Sequence, residues 1–210
     1  MYINTHQLSV TLESHQHRHV SKMKTKTNII TCILCLLTTA VFAQDLIPFN
    51  DKNGKFGYID RTGRVIVAPK YTYVEVFDGD FAEVGVNNGL NNKCGFIDRT
   101  GKIVVPLKYN AAGPFSQGLA WVQRKHKYGF VNQKGEEQIP LIFQDAKWFS
   151  EGLAAVKSDG KWGFINASGK TIIPFRYDDI GGMQSFYKGK VNVKLGDRYF
   201  DIDKNGNELK

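Results

Sequence analysis

Asp201, Asp203 and Asn205 alternate ahead of Gly206, the spacing with which the first half of a calcium loop sets oxygen ligands around a hard cation. The bidentate glutamate that completes such a loop would fall after Lys210, and Asp203 and Gly206 also form a turn pair met four more times in the chain, so no metal is assigned. Acid–base chemistry would draw on paired carboxylates, and Glu83, Glu151, Asp178 and Asp179 are its candidates should the fold bring them together. Nucleophilic catalysis needs a base beside the nucleophile, usually histidine. His126 is the single histidine after residue 43 and lies between Lys125 and Lys127, the setting of a solvated turn residue. Cys94 is the single cysteine in the same stretch, which leaves no intrachain disulfide to form there. These residues imply no catalytic group and no cofactor.

What must position any such group is a repeat. A phrase of Lys, aromatic, Gly, aromatic, then Ile or Val, then Asp or Asn reads KFGYID from Lys55, KCGFID from Lys93, KYGFVN from Lys127, KWGFIN from Lys161 and, degraded, RYFDID from Arg198. Gly57, Gly95, Gly129, Gly163 and their counterpart Phe200 stand 38, 34, 34 and 37 residues apart, the period of a stacked supersecondary unit. The phrase alternates with the two-residue period of a strand, and aromatic and β-branched residues suit that pleated surface. Cys94 holds the slot of Phe56, Tyr128, Trp162 and Tyr199, so it reads as a small buried hydrophobe and not as a nucleophile. The glycines of the phrase do not cradle phosphate, because no helical period follows them.

Each strand then meets a four-residue stop: Asp60 to Gly63, Asp98 to Gly101, Asn132 to Gly135, Asn166 to Gly169 and Asp203 to Gly206. Asp or Asn accepts a backbone hydrogen bond two residues on, and Gly takes the left-handed conformation that ends a type I turn with a bulge. A second short strand follows, and Pro106, Pro140 and Pro174 are expected to end it or to mark it as an edge, since proline cannot donate to a ladder. A loop closed by Tyr71, Tyr109, Phe143 or Tyr177 leads to a second phrase, FDGDFAEV from Phe77, FSQGLAWV from Phe115, FSEGLAAV from Phe149 and FYKGKVNV from Phe186. Each unit is thus read as roughly three short antiparallel strands.

The KWGFIN and FSEGLAAV phrases resemble the bacterial WG-repeat, or KWG-repeat, family over residues 51–210. The resemblance implies an all-β repeat domain, often exported or fused to other modules, with no generally assigned enzymatic activity. Cys94 in an aromatic slot and Phe200-Asp201 in place of Gly-aromatic depart from the pattern; the terminal departure suits an end unit with a more polar outer face. The fold class expected is an all-β array of about four to five WG-type repeats, open and solenoid-like. A closed propeller is the alternative, disfavoured because propeller blades usually have four strands.

The repeats also compare themselves. Trp121 stands where other units have Glu83, Ala155 and Asn192, and Trp148 where they have Val76, Pro114 and Ser185. Slots that accept polar residues are expected to face solvent, and an exposed tryptophan anchors sugars or partner proteins, so Trp121 and Trp148 are the candidate ligand-binding residues. A local core filling is the competing reading.

The N-terminus reads as three pieces. Residues 23–43 have the form of a secretory signal peptide, with Met23 a candidate start, Lys24 and Lys26 ahead of an apolar Ile29–Leu37, and Val41 and Ala43 before a cleavage site at Gln44. The apolar stretch is too short to span a bilayer. Residues 1–22, which hold four of the five histidines, form an upstream extension outside the mature protein, leaving 44–210 as one repeat domain. The formal net charge is +8, but the basic residues sit singly at strand starts and turns, unlike the clustered basic and aromatic face of a nucleic-acid binder. The function expected is an exported, periplasmic or extracellular, non-catalytic module that binds a protein or serves a structural role in the cell envelope. A module binding glycan or cell-wall polymer is the alternative, and an enzyme with an unrecognised carboxylate site a remote one. The partner is an unknown protein or cell-envelope polymer, with no nucleic acid and no membrane span after processing.

Overall fold

The computed structural model describes residues 45–89 and 92–210. The upstream extension, the signal peptide and the cleavage site before Gln44 lie outside the described residues. Among those described, no helix is long and apolar enough to cross a membrane. Every regular element is a strand, and the strands form five small antiparallel meanders.

The first sheet holds β1 (Ile47–Asn50), β2 (Phe56–Ile59) and β3 (Val65–Tyr71). The second holds β4 (Tyr73–Val74), β5 (Phe81–Asn87), β6 (Asn92–Asp98) and β7 (Ile103–Tyr109), and the third β8 (Ala111–Ala112), β9 (Leu119–Arg124), β10 (Lys127–Asn132) and β11 (Glu137–Phe143). The fourth holds β12 (Asp145–Ala146), β13 (Leu153–Ser158), β14 (Lys161–Asn166) and β15 (Thr171–Tyr177), and the last β16 (Asp179–Ile180), β17 (Lys190–Leu195) and β18 (Arg198–Asp203). In the three middle sheets a two-residue strand joins the three that the sequence pattern marks.

The turns form as their residues dictate. In the first, Asp60 Oδ1 accepts from the Thr62 and Arg64 amides at 2.9 and 3.0 Å, the Gly63 amide donates to the Asp60 carbonyl, and Gly63 has φ +83°. The prolines mark edge strands, as one reading of them expects, but they do not end those strands. β7, β11 and β15 each run on through Pro106, Pro140 or Pro174 to the aromatic at their end. The reason is a bulge: Cys94 pairs with Tyr109 and Phe96 with Val105, so Pro106, Leu107 and Lys108 all pass opposite Gly95. A bulge tolerates a residue without a donor. It also explains the glycine of the repeat phrase, because a Cβ on Gly129 would lie 2.5 Å from the Ile139 carbonyl oxygen and 2.7 Å from Pro140 backbone atoms.

Both faces of the middle sheets are covered. On β10, Phe130 packs toward the fourth sheet while Val131 packs back toward the second. Four cores result, each between consecutive sheets and each carrying fully buried aromatics or aliphatics such as Tyr58, Tyr109, Phe130 and Phe164. Five sheets joined by four cores form an open line, since a ring would need a further core between first and last, and no sheet closes on itself among the described residues. Hydroxyls tie neighbouring sheets together where the second phrase turns: Ser116 Oγ donates to the Phe149 carbonyl at 2.6 Å and Ser150 Oγ to the Phe186 carbonyl at 2.7 Å.

The degraded last unit follows from position. No bulged strand crosses β18, so the glycine slot can hold Phe200, which packs edge-on to Tyr177 with centroids 6.3 Å apart. Its outward face has no sheet beyond it. Asp201 replaces the buried aromatic of other units, is neutralised by Lys190 at 2.6 Å and accepts a hydrogen bond from Asn192 at 2.9 Å.

Candidate functional site

Register places side chains of equivalent slots in rows that look toward the next sheet. In the second sheet one row runs Tyr73, Gly85, Cys94, Tyr109, and the adjacent row includes Glu83, Phe96 and Val105. The third sheet has Ala111, Gln123, Tyr128 and Phe143 in the first row and Trp121, Phe130 and Ile139 in the second. Cys94 therefore replaces a ring with a small side chain, and Tyr73 puts a ring where the third sheet has the methyl group of Ala111. The Tyr73 ring lies over Gly85, where any Cβ would overlap it.

That exchange of bulk brings three polar groups together. The Tyr73 hydroxyl donates to Glu83 Oε1 at 2.9 Å, and Cys94 lies within hydrogen-bonding reach of both. Burial holds the Glu83 carboxyl above the ordinary carboxylate range, Glu75 adds to the rise, and the bonds from Tyr73 and Cys94 oppose it. Burial, then the Glu83 charge, pushes the Cys94 thiol up to about 12, which makes it a neutral donor and not a thiolate nucleophile. Tyr73 is likewise pushed up, first by burial and further by Glu83, and stays a phenol.

Glu83 opens into a cavity of about 310 Å³ between the second and third sheets, lined also by Glu75, Val76, Asp78, Phe81, Phe96, Pro114 and Phe115. Its volume lies at the lower end of small-molecule sites, and its makeup, aromatic walls with few polar groups, is theirs too.

The two tryptophans are placed differently from each other. Trp121 is half-buried against the core of the third and fourth sheets, its indole over Gly113 and its ring centroid 5.6 Å from that of Tyr128. The expectation that its slot faces solvent is corrected. The slot faces the neighbouring sheet, as the 1% exposure of Ala155 in the same position shows, because the middle sheets are covered on both faces. Trp148 is 39% exposed in the loop before β13, and its counterparts Val76 and Pro114 are exposed too, whereas Ser185 is buried. By register, Trp121 and Trp148 take the places in the next interval that Glu83 and Pro114 hold around the cavity.

The candidate carboxylates do not meet. Glu151 accepts the Gly189 amide at 3.0 Å, Asp178 accepts Lys161 and the Gly196 amide, and Asp179 accepts the Tyr199 hydroxyl at 3.2 Å. Each of these three joins neighbouring segments, and Glu83 alone of the four lines the cavity. His126 is an exposed turn residue with φ +60°. The calcium-loop spacing resolves into the repeat turn: both Asp203 oxygens bond Asn207, Oδ1 also takes the Asn205 amide, and Asp201 is held by Lys190 and Asn192. Among the described residues no three of His, Cys, Asp and Glu group as metal ligands.

Tyr73 and the cavity were missed from sequence. The signal was present in the self-comparison, since the slot after Thr72 holds Tyr73 where other units have Ala111, Asp145 and Asp179. The WG containing repeat family matches the chain in four copies, over residues 56–89, 95–127, 128–162 and 162–199. No curated protein matches it.

Proposed function

We propose, for a chain that belongs to the WG containing repeat family, an exported, non-catalytic scaffold that binds another protein in the cell envelope along the loops rimming successive sheets. The observation that carries this reading is a row of apolar residues at one repeat position. Val76 is 69% and Trp148 39% exposed, and Pro114 between them is exposed as well. Met183 at 59% and Tyr187 at 52% prolong the row in the loop of the last sheet. Stacked sheets lie about 10 Å apart, so these anchors present regularly spaced points to an extended partner. Exposed apolar side chains aligned in this way offer anchor points for a partner, and an indole is a frequent anchor at interfaces. Export is supported by the signal-peptide pattern of residues 23–43.

A second reading, a module for glycan or cell-wall polymer, is favoured by Trp148, whose exposed indole offers the flat face that sugars stack on. Affinity capture from a cell-envelope lysate, with bound protein and carbohydrate both analysed, separates the two when wild type is run beside Trp148→Ala and Val76→Ser. One stoichiometric protein recovered by wild type and lost with both variants is the expected result. Polysaccharide lost with Trp148→Ala would favour the glycan reading, and bound material indifferent to both substitutions would remove the loop row from the function.

A further inference from the structure

The cavity between the second and third sheets differs from the rest of the array in how its charge is met. Elsewhere carboxylates hold cations: Glu137 has Lys108 at 2.9 Å and Arg124 at 3.8 Å, Asp201 has Lys190 at 2.6 Å, and Asp178 has Lys161. Glu83 instead has a neutral partner, the Tyr73 hydroxyl, with the Cys94 thiol close by, and open space. The ionisable residues that line that space are Glu75, Asp78 and Glu83, all acidic, in a chain whose formal net charge is +8. Its walls include three phenylalanines, with the Phe115 centroid 4.9 Å from that of Phe81 and 4.8 Å from that of Phe96. Ring faces attract cations through their quadrupole, most strongly where water is excluded.

We propose that this cavity binds an organic cation, an alkylammonium group on an apolar stem, with Glu83 as its counter-ion and Phe81, Phe96 and Phe115 as the surrounding cage. Each alternative ligand chemistry meets an obstacle. An anion would face three carboxylates, and a neutral apolar ligand would desolvate Glu83 further without replacing the lost hydration. An ammonium removes that cost by pairing with the carboxylate, while its stem covers the rings. The cation can come from a free amine or from a lysine side chain of a partner protein, and the chemistry is the same in both. This assignment rests on the cavity alone and stands whether or not the loop row binds a protein.

The test titrates the full chain with n-hexylammonium, n-hexanol and hexanoate, followed by NMR signals of Phe115 and Val76. Saturable shifts with hexylammonium, at least tenfold weaker binding of hexanol and no binding of hexanoate are expected. Glu83→Gln should weaken hexylammonium at least tenfold while leaving hexanol unchanged. Phe115→Leu, which keeps an apolar wall but removes a ring face, should weaken hexylammonium more than hexanol. A lysine-bearing peptide that binds where its Nε-acetyl form does not would place the cation on a partner chain; hexylammonium binding without peptide binding would assign a free amine. Hexanoate binding as well as hexylammonium, or hexylammonium affinity unchanged in both variants, would overturn the proposal.

Discussion

Gly129→Ala is expected to be among the most damaging single-methyl additions the array can receive. Gly129 lies on β10 beneath the bulge of β11, and the added Cβ would stand 2.5 Å from the Ile139 carbonyl oxygen and 2.7 Å from Pro140 backbone atoms. Ordinary contact needs roughly 3.5 to 4 Å, so the bulge must retreat by about 1 Å. The atoms in the way are backbone, pinned on either side by the pairs Tyr128–Phe143 and Phe130–Ile139, whose side chains are core. No rotamer change can relieve the overlap. Overpacking costs about 1 to 3 kcal/mol when side chains can yield, and here the upper end applies, about 3 kcal/mol or more. For a chain of this size that lowers the melting temperature by about 6 to 12 °C. Calorimetry of the full chain beside Gly118→Ala separates this steric effect from a conformational one, because Gly118 has φ +82° and open space around its missing Cβ. That control should lose about 1 to 2 kcal/mol through left-handed strain alone. A Gly129→Ala chain melting within about 2 °C of wild type, or above Gly118→Ala, would refute the bulge as the reason for the repeat's glycine.

Two further outcomes follow from the cores. Trp162 is 5% exposed in the core of the fourth and last sheets, so Trp162→Ala should cost about 3 to 5 kcal/mol, read as a drop of at least about 6 °C in melting temperature; a loss of a degree or two would deny it a core role. Glu83, raised by burial above its ordinary 4.5, contributes stability that is complete below that value and is lost as pH rises through its folded value. Glu83→Gln keeps an acceptor for Tyr73 but does not titrate, so its melting temperature should gain on that of wild type as pH rises above the ordinary 4.5, and a difference that stays flat with pH would show that burial does not penalise the charge.

Much of this architecture is legible in the sequence because its determinants are local. The Asp-x-x-Gly stop needs only a side-chain acceptor and a left-handed residue within four positions, and Asp60 to Gly63 folds accordingly. Strand alternation likewise identifies Trp162 and Phe164 as one face. What the sequence hides is what lies across from a residue. Pro106 reads as a strand end or an edge because the missing donor is local, and β7 is an edge, while the bulge that lets the strand run on through it depends on Gly95 of the paired strand. The slot of Trp121 reads as solvent-facing because it tolerates Glu83 and Asn192, yet each is polar for its own reason: Glu83 borders a cavity, and Asn192 lies on the last sheet, with no sheet beyond.

The same distinction separates the two kinds of departure from the repeat. Phe200 and Asp201 depart together at the end of the array, where the loss of a covering strand and of a following sheet accounts for both. Tyr73, Gly85 and Cys94 depart together in the second sheet, where neither neighbour is missing, and their register in a single row makes them one compensated exchange of volume. Packing alone would be satisfied by the aromatic that other units keep in the Cys94 slot. The exchange moves a ring to the sheet edge and gives Glu83 a neutral donor, the Tyr73 hydroxyl, and Glu83 also borders the cavity of about 310 Å³ beside three phenylalanines. Glu83 is thus a half-buried carboxylate whose charge burial disfavours, and the stacking of one sheet on the next does not call for it.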